Sequence, residues 1–559
     1  MLRIMHKMKE SLSDIRDGIV LSLAMAFLFG IFAPLELYIS NQDTFWFSIY
    51  HVFPLFLAVF FGILFLDILL FFVFRFIGKT PYHDLAFFET ACIVCSYVQG
   101  NYLVGNLPVI NGDATVWNQH AKDAVISAIL WAVVILALII TVRRFSAEAV
   151  LKVIRICSLC MILMMSVTLG LEITRGGWGT FLDHKLNAIY STKNEMEYSS
   201  GKNFIIFLLD RVESARIEKL LDEEPQYQEI FEDFTYYRDA MGLYPRTEFA
   251  VPQILTGEEY LNQEPFEDFS NRVYPDSPIL AEAEKRGYRI GLYDMEAIIC
   301  KDDEILKYDN VFENPTYFTS RSLFIKLYWL VIAYRYFPYE LKPFINTDID
   351  FNRIRETRGE YEAFNWSDTL FYKTLNSEEI QHTEDPVFKF IHLEGAHTPN
   401  NLLEDLTRVH EGQAGYEDKI RASLTVTKAY LDKLKDAGCY DNSVIVIMAD
   451  HGDSEEGSDN IYATNPMLFI KGTDEHHELR KSMAPVSYRD LPEAFYGLFD
   501  GKASDEVFNC KEGQMRERWF YYYPGWHKSQ QITEYLQTGK ADETETFKPT
   551  GNVFVEQQE

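Results

Sequence analysis

Apolar residues are distributed unevenly along the chain and divide it into two parts near residue 173. In the first part they form runs of about 20 residues, the length that a helix needs to cross a bilayer. These runs predict five membrane-spanning helices, at about residues 18–38, 52–76, 85–104, 124–142 and 154–173. The third run carries Glu89, Gln99 and Asn101, so a re-entrant or interfacial segment is the alternative there.

After residue 202 the pattern changes to short apolar runs separated by stretches with helical periodicity. The runs predict buried strands near residues 203–210, 287–294, 387–397, 443–453 and 466–472. Strands that alternate with helices are typical of an α/β domain with a mainly parallel sheet. The predicted fold is therefore a polytopic α-helical membrane domain over residues 1–173, a linker over 174–202 and an α/β domain over 203–559.

Basic residues predict the orientation of the membrane helices. They cluster before the first span, after the second span and between the fourth and fifth, in the sets Arg3, Lys7, Lys9 and Arg16, then Arg75 and Lys79, then Arg143, Arg144, Lys152 and Arg155. With five spans all three clusters lie on one side of the membrane. The positive-inside rule then places the amino terminus in the cytoplasm and the α/β domain outside.

Charge excludes one class of partner. Residues 1–178 hold 12 Lys and Arg against 12 Asp and Glu, so the rest of the chain carries the whole net charge of -30. An acidic domain repels a phosphate backbone, because nucleic-acid binding requires a basic face. We therefore expect the membrane, and no nucleic acid, among the partners.

Polar side chains follow two of the predicted strands at the points where these end. Asp210 follows the first strand, and Asp450 and His451 follow the strand that begins at Ser443. The carboxyl ends of parallel strands meet at the edge of the sheet where α/β proteins bind ligands. Carboxylate and imidazole groups are metal ligands. The sequence predicts that these three side chains share a metal, although each could also be a simple turn residue.

Two further stretches contain candidate functional residues. Thr247 begins a predicted helix in RTEFAVPQILTG, where unsatisfied N–H groups favour an anion, and Arg246 precedes it. An ordinary helix cap and a solvated arginine are the alternatives. His392 lies near the end of the strand in FIHLEGAHTP and His397 follows it. Packed histidines are the alternative for this pair.

These stretches together resemble the alkaline phosphatase and sulfatase superfamily. The spacing from Thr247 to Thr256-Gly257 is similar to that from the nucleophile to the Leu-x-Thr-Gly signature of the superfamily. An early strand-end acid, a helix-capping nucleophile and a late Asp-His pair share a metal there, and Asp210, Thr247, Asp450 and His451 match in that order. The resemblance implies a sulfatase-like domain with Thr247 as nucleophile and these four residues as metal ligands.

Five spans before such a domain resemble the lipoteichoic acid synthase branch of membrane-anchored phosphotransferases. The resemblance implies a bacterial plasma-membrane protein in which Arg246 clamps phosphoryl oxygens and His397 and His392 contact substrate. Leu393 occupies the position, four residues before His397, where alkaline phosphatase has an aspartate for a second zinc. One metal is therefore expected, with Mn²⁺ favoured by its oxygen-rich ligands and Zn²⁺ or Mg²⁺ as alternatives.

The nucleophile narrows the reaction. Sulfatases of this superfamily oxidise Cys or Ser in Cys/Ser-x-Pro-x-Arg to formylglycine, and threonine cannot form that aldehyde. A threonine hydroxyl beside a divalent metal can attack phosphorus instead. The expected function is transfer of phosphoglycerol or phosphoethanolamine from a phospholipid, through a phospho-threonine, to a surface glycan or teichoic-type polymer. The alternatives are a phosphodiesterase or phosphatase, a sulfatase-like hydrolase, and a non-catalytic scaffold for envelope polysaccharide assembly.

An aromatic segment within the outer domain, residues 322–338, is apolar but interrupted by Lys326 and Arg335. It is too short and too charged to span a bilayer. An interfacial helix with Trp and Tyr at the level of the lipid headgroups is one interpretation, and a buried helix is the other.

Overall fold

The computed structural model describes residues 16–41, 45–104, 120–176, 181–182, 188–294, 307–313, 318–345, 349, 351, 362–410, 412–453, 461–523 and 531–555. The chain forms two compact units, one of residues 1–186 with 315–356 and the other of residues 187–314 with 357–559. The segment 315–356 thus groups with the amino-terminal helices, although it lies inside the sequence predicted as the outer domain. The basic residues before Arg16, and parts of the predicted linker 174–202, lie outside the described residues.

Helices cover all five predicted spans in the first unit. As far as this unit is described, they are α1 Arg16–Phe27, a π-helical turn Leu28–Phe32, α2 Ala33–Ser40, α3 Ile49–Ile77, α4 Lys79–Tyr102, α5 Ala121–Arg144 and α6 Ala147–Gly176. Within these ranges, four stretches are long and apolar enough to cross a membrane, namely Arg16–Ser40, α3, α5 and residues 147–175 of α6. Helix α4 has 24 residues, enough for about 36 Å, but it is more polar than these four stretches and does not count among them.

A helix from far along the sequence, α11 Arg321–Tyr336, supplies hydrogen bonds at the irregular turn of the first span. Pro34 follows the π-helical turn and cannot donate a backbone hydrogen bond. Trp329 donates its indole N–H to the carbonyl of Phe29, 2.9 Å away, and the hydroxyl of Tyr328 donates to the carbonyl of Pro34 at 2.9 Å. Of the two interpretations of residues 322–338, the structure therefore supports a buried helix within the first unit.

The second unit is built on a seven-stranded sheet, in the part of the chain that is described. Its strands, in their order across the sheet, are β11 Arg480–Ser482, β4 Thr235–Tyr237, β10 Leu468–Lys471, β9 Ser443–Met448, β3 Asn203–Leu209, β8 Val387–Leu393 and β5 Arg289–Tyr293. Neighbours β9, β3, β8 and β5 are parallel, and β10 is antiparallel to both of its neighbours. The prediction of a mainly parallel sheet is confirmed.

The other described strands form smaller sheets. Strands β12 Arg518–Tyr522, β13 Gln531–Gln537 and β14 Phe547–Val555 form an antiparallel sheet. Strand β1 Ala188–Tyr190 pairs with β6 Val311–Glu313, and β2 Glu197–Ser199 pairs with β7 Gln381–Thr383. The aromatic residues near 520 lie in β12.

Helices cover both faces of the main sheet, so the central strands are buried on both sides. In β3, Phe204 and Ile206 point into one apolar cluster while Ile205 and Phe207 point into the other. This alternation explains why β3 is continuously apolar in sequence. The helices, as described, are α7 Ser214–Glu223, α8 Thr247–Thr256, α9 Phe266–Val273, α10 Pro278–Lys285, α12 Asp368–Ser377, α13 Tyr416–Asp436 and α14 Leu491–Phe499.

Strand register brings the polar ends of three strands to one edge. Leu209 at the end of β3 pairs with Leu393 at the end of β8, and Leu208 pairs with Met448 at the end of β9. The residues that follow these strands therefore leave the sheet side by side. They include Asp210 and Asp450.

Candidate functional site

Asp210, Asp450 and His451 form a buried cluster at this edge. One ligand atom from each lies within 4.8 Å of the others. The Nε2 atom of His451 is 3.7 Å from Oδ1 of Asp210 and 3.5 Å from Oδ2 of Asp450. The Nδ1 atom of His451 lies 2.8 Å from the carbonyl of Gly452, which requires a proton on Nδ1. The lone pair of Nε2 then faces the two carboxylates, as a metal ligand requires.

Thr247 completes the cluster from the first turn of α8. Its hydroxyl oxygen lies 3.3 Å from Oδ2 of Asp210 and 3.4 Å from Nε2 of His451, and the residue is 2% exposed. The free N–H groups of the first helical turn give this end of α8 a partial positive charge. Thr247 thus places a hydroxyl between groups that could ligate a metal, at a position that favours an anion.

The end of α8 explains the Leu-Thr-Gly sequence structurally. The hydroxyl of Thr256 donates to the carbonyl of Pro252 at 2.7 Å, and Gly257 follows with φ +79. Leu255 is fully buried in the core. Glycine ends a helix in this left-handed conformation without steric cost. The three residues therefore anchor and terminate the helix that carries Thr247.

The ligand set fits a divalent cation. The Oδ1 atom of Asp210 and the Oδ2 atom of Asp450 are buried, and neither has a hydrogen-bond partner among the residues that the structure describes. Two facing carboxylates with unpaired oxygens are unfavourable away from water unless a cation lies between them. Asp210, Asp450, His451 and the Thr247 hydroxyl would hold it.

The two carboxylates differ electrostatically. Burial, followed by the negative charge of Asp210, raises the pKa of Asp450. Burial also opposes ionisation of Asp210, but the His392 ring, with Nε2 3.4 Å away, lowers its pKa to about 2. Asp210 is therefore the permanently charged member of the pair, and a bound cation would oppose the burial effect on Asp450.

His392 lies beneath the cluster. It is fully buried, with Nδ1 2.7 Å from Oδ1 of Asp294 and Nε2 3.4 Å from Oδ2 of Asp210. Burial disfavours the charged ring, but the carboxylates of Asp294 and Asp210 raise the pKa of His392 well above its usual value. The ring is thus positioned to orient a metal ligand, and the contact with substrate expected from the sequence stays a prediction.

His397 lies in the loop after β8, half-buried and close enough to Asp210 to influence its charge. Its Nδ1 atom is 2.6 Å from the carbonyl of Thr398, and its own carbonyl accepts from the ammonium of Lys419 at 2.5 Å. The Trp366 ring packs edge-on against it, with centroids 5.2 Å apart. His397 is therefore held at the rim of the cluster, outside the Asp-Asp-His set.

Arg246 is the N-cap residue of α8, directly before Thr247. Its Nη2 atom makes a long contact of 3.5 Å with the hydroxyl of Tyr462. Its buried Nε atom has no hydrogen-bond partner within the described part of the chain. The side chain therefore retains donor capacity next to the candidate nucleophile.

Several residues of the site are not among those predicted from the sequence. Asp294 follows β5 in the same way that Asp210 follows β3, so the strand-end rule could have found it. Arg211, Asp453 and Asp368 lie in loops or at a helix start and contact the site through partners distant in sequence. These contacts join residues far apart in the chain, so no local sequence pattern marks them.

Comparison with known proteins identifies the fold and the family. The sulfatase family model matches residues 202–502, more than half of the chain. This range includes every candidate site residue. Among curated proteins, none matches the chain.

Two solved structures are similar to this chain at low identity. A protein in the alkaline phosphatase superfamily from Vibrio parahaemolyticus is 12% identical, covers 66% of this chain and 85% of its own, and has a TM-score of 0.37. A phosphonate monoester hydrolase from Silicibacter pomeroyi is 14% identical, with coverage of 63% and 88% and a TM-score of 0.34. The match to the sulfatase family model, and not these distant similarities, shows the family of the chain.

Proposed function

Because the chain belongs to the sulfatase family and is an enzyme of the sulfatase-like type, we propose that it is a metal-dependent phosphotransferase. In this proposal a phospholipid gives its headgroup phosphate, as phosphoglycerol or phosphoethanolamine, to Thr247. A surface glycan or teichoic-type polymer then accepts it outside a bacterial plasma membrane. This is the activity expected of the lipoteichoic acid synthase-like branch.

The observation that carries the proposal is the position of the Thr247 hydroxyl. It lies 3.3 Å from Asp210 and 3.4 Å from His451, at a helix amino terminus and beside unpaired carboxylate oxygens. Oxidation of a threonine side chain would give a ketone, so the formylglycine route of sulfatases is closed. A hydroxyl nucleophile in this setting fits attack on phosphorus.

The first unit supports a lipid donor. Four apolar helices at the amino-terminal end suggest a membrane anchor. Residues 315–356 interrupt the matched family domain in sequence and yet group with those helices. An enzyme whose catalytic sequence includes a segment packed with membrane helices is suited to a substrate that resides in the bilayer.

In the first half-reaction, Thr247 Oγ1 bonds to phosphorus while the bond from phosphorus to the diacylglycerol oxygen breaks. The Thr247 hydroxyl, hydrogen-bonded to Asp210, releases its proton to water as the bond to phosphorus forms, and Arg246 lies where it can donate to phosphoryl oxygens. The metal, when bound, would lower the pKa of the threonine hydroxyl and offset phosphoryl charge. The departing oxygen takes a proton from His397, which in its charged form carries an N–H at Nε2.

The second half-reaction reverses these roles. An acceptor hydroxyl gives its proton to His397 and attacks phosphorus, and Thr247 Oγ1 leaves and takes back a proton from water. Water in place of the glycan hydroxyl would make the enzyme a phosphodiesterase. The two outcomes share every step at Thr247 and differ only in the acceptor.

The test is peptide mass spectrometry on the full chain, purified in detergent with Mn²⁺ and incubated with vesicles of phosphatidylglycerol or phosphatidylethanolamine. Thr247→Ala, which removes the hydroxyl, and Thr247→Ser, which retains one, are the matched variants. We expect a phosphoglycerol or phosphoethanolamine adduct on the peptide that contains residue 247, or release of diacylglycerol, in the wild type and Thr247→Ser. Diacylglycerol release that persists in Thr247→Ala would exclude Thr247 as the nucleophile.

A further inference from the structure

Arg211 directly follows the metal-ligand candidate Asp210 and has an unusual backbone conformation. Its φ is +62, in the left-handed region that costs free energy for any residue with a side chain. Such conformations persist where surrounding contacts fix them, and they occur often at functional sites. The contacts that fix Arg211 in this conformation include one to Asp450, a residue of the candidate metal site.

The main chain of Arg211 orients one ligand. Its N–H donates to Oδ1 of Asp450 at 3.1 Å, and its carbonyl accepts from the hydroxyl of Tyr416 at 2.6 Å. Oδ2 of Asp450 is the oxygen that lies 3.5 Å from Nε2 of His451. The backbone of Arg211 thus selects which oxygen of Asp450 faces the metal position. A side-chain substitution preserves this contact.

The side chain of Arg211 joins two other loops. Its Nε and Nη2 atoms lie 3.1 and 2.9 Å from Oδ1 of Asp453, and its Nη1 atom lies 3.2 Å from the hydroxyl oxygen of Thr398. The side chains of Arg211 and Asp453 are only 11% and 17% exposed, so water screens this ion pair weakly. The guanidinium therefore connects the loop after β9 with the loop after β8.

The second of these loops carries His397. The carbonyl of Thr398 fixes Nδ1 of the His397 ring at 2.6 Å, so a bond to Thr398 constrains the ring orientation. Lys419 holds the loop from the opposite side through the carbonyl of His397. The N–H of Ala396 ties the start of this loop to the carbonyl of Asp210 at 2.8 Å, and the Arg211 guanidinium adds a side-chain tie at Thr398, beside His397.

We propose that Arg211 is a positioning residue, whose guanidinium holds the His397 loop against the metal cluster so that His397 can protonate the leaving oxygen. This inference rests on the proposed phosphotransfer, in which His397 gives a proton to the diacylglycerol oxygen as the phosphorus–oxygen bond breaks. The role is indirect, because Arg211 acts through Thr398 and Asp453. It predicts that Arg211 is needed only where the leaving group needs a proton.

Leaving-group dependence provides the test. Diacylglycerol leaves as a poor alkoxide that requires a proton, whereas p-nitrophenolate leaves without one. The full chain, loaded with Mn²⁺, is assayed on phosphatidylglycerol and phosphatidylethanolamine vesicles and on bis(p-nitrophenyl) phosphate. The variants are Arg211→Met, which removes the charge at similar length, His397→Asn as the reference, and their double mutant.

We expect Arg211→Met to slow lipid turnover about 10- to 100-fold, part of the usual contribution of a general acid. The burst of the first p-nitrophenolate from bis(p-nitrophenyl) phosphate, which reports only the attack of Thr247, should change less than about threefold in rate, because metal and nucleophile stay in place. The double mutant should be no slower on lipid than His397→Asn alone, since both changes remove one function. Bound Mn²⁺, measured by elemental analysis, should match the wild type.

Equal losses on both substrates, or unchanged lipid turnover, would overturn the proposal and indicate a merely structural role or none. If Arg211→Met does not fold, Thr398→Val and Asp453→Asn test the same bonds from the other side and should give the same selective loss. A wild type that releases neither diacylglycerol nor p-nitrophenol would instead refute the phosphotransfer itself. That outcome would also refute the proposed role of Arg211, because the role depends on the phosphotransfer.

Discussion

The Nε2 atom of His392 lies 3.4 Å from Oδ2 of Asp210, and both side chains are buried. On its other side the His392 ring lies 2.7 Å from Asp294. A cationic ring between two carboxylates fixes the rotamer of Asp210 and lets its other oxygen, Oδ1, face the metal position. This arrangement resembles the supporting contacts that orient ligands in metalloproteins.

His392→Asn is therefore expected to weaken metal binding about 10- to 100-fold, because Asp210 loses its orienting partner. Isothermal titration of the metal-free protein with Mn²⁺ measures the change. The matched control is His410→Asn, at an exposed histidine of the same unit. An unchanged affinity in His392→Asn would contradict a supporting role for the ring.

Metal removal should destabilise the second unit, since Asp210 and Asp450 are 1% and 0% exposed and repel each other without a cation. At a metal concentration 100 times the Kd, binding adds about 2.7 kcal/mol. Thermal unfolding with EDTA, and after return of Mn²⁺, Zn²⁺ or Mg²⁺, measures the effect and ranks the metals.

Asp450→Asn provides the control for that experiment. The variant removes one of the two facing charges, so its metal-free form should be at least as stable as the metal-free wild type. It should gain much less stability from metal. A full gain in Asp450→Asn would show that the cation binds elsewhere.

The strand pattern was sufficient to predict the centre of the site but not its surroundings. Asp210, Asp450 and His451 follow continuous apolar strands, and register in a parallel sheet brings strand ends together, so their proximity follows from local sequence. Arg211 meets Asp453 through the folding of two loops, which no local periodicity encodes. Sequence also left helix α11 unassigned, because an aromatic helix packs equally well against lipid or against other helices.

Gly395→Ala should disturb the site through sterics alone. Gly395 has φ +55, and a Cβ atom there would lie 2.5 Å from the carbonyl oxygen of Asp210. The loop and the strand end cannot both stay in place at that distance. We expect a loss of stability well beyond the 1–2 kcal/mol, roughly, of a left-handed alanine, together with weaker Mn²⁺ binding.

Gly412→Ala is the control for Gly395→Ala. Its φ is +79, but a Cβ atom would have nothing within 4 Å. Urea unfolding should therefore show only the conformational cost, and metal affinity should stay at the wild-type value. Equal effects of the two substitutions would mean that the close approach of Gly395 to Asp210 contributes neither to stability nor to metal affinity.

Glu213 should make the second unit less stable as the pH rises. Burial and then the charge of Asp453 raise its pKa from 4.5 to about 7. Between these values the folded state binds more protons than the unfolded state, so this contribution to stability is present below pH 4.5 and lost as the pH passes 7. Glu213→Gln should remove the loss and be more stable than the wild type above pH 7, by about 1–3 kcal/mol.

Thermal unfolding between pH 4.5 and 8, in EDTA so that metal loss does not contribute, measures the effect of Glu213→Gln. Glu229→Gln, at an exposed glutamate, is the matched control and should follow the wild-type profile. Parallel profiles for Glu213→Gln and the wild type would contradict the assignment of this pH dependence to Glu213.

The ion pair between Arg335 and Glu36 should stabilise the association of α11 with the first span. The Nη2 atom of Arg335 lies 2.6 Å from Oε1 of Glu36, and its Nε donates to the carbonyl of Gly100 at 2.8 Å. Arg335→Met leaves the Glu36 carboxylate, 9% exposed, without its partner, and breaking a buried pair from one side costs about 3 kcal/mol or more. Replacing both residues, as Glu36→Leu with Arg335→Met, should lower the stability less than Arg335→Met alone, because no unpaired charge remains.

Thermal unfolding in detergent measures the stability of both variants. The control is Arg321→Met, at the exposed start of the same helix, which is expected to match the wild type. If the double variant were less stable than Arg335→Met, the pair would not be coupled, and α11 would be held by its apolar contacts and by the hydrogen bonds of Tyr328 and Trp329.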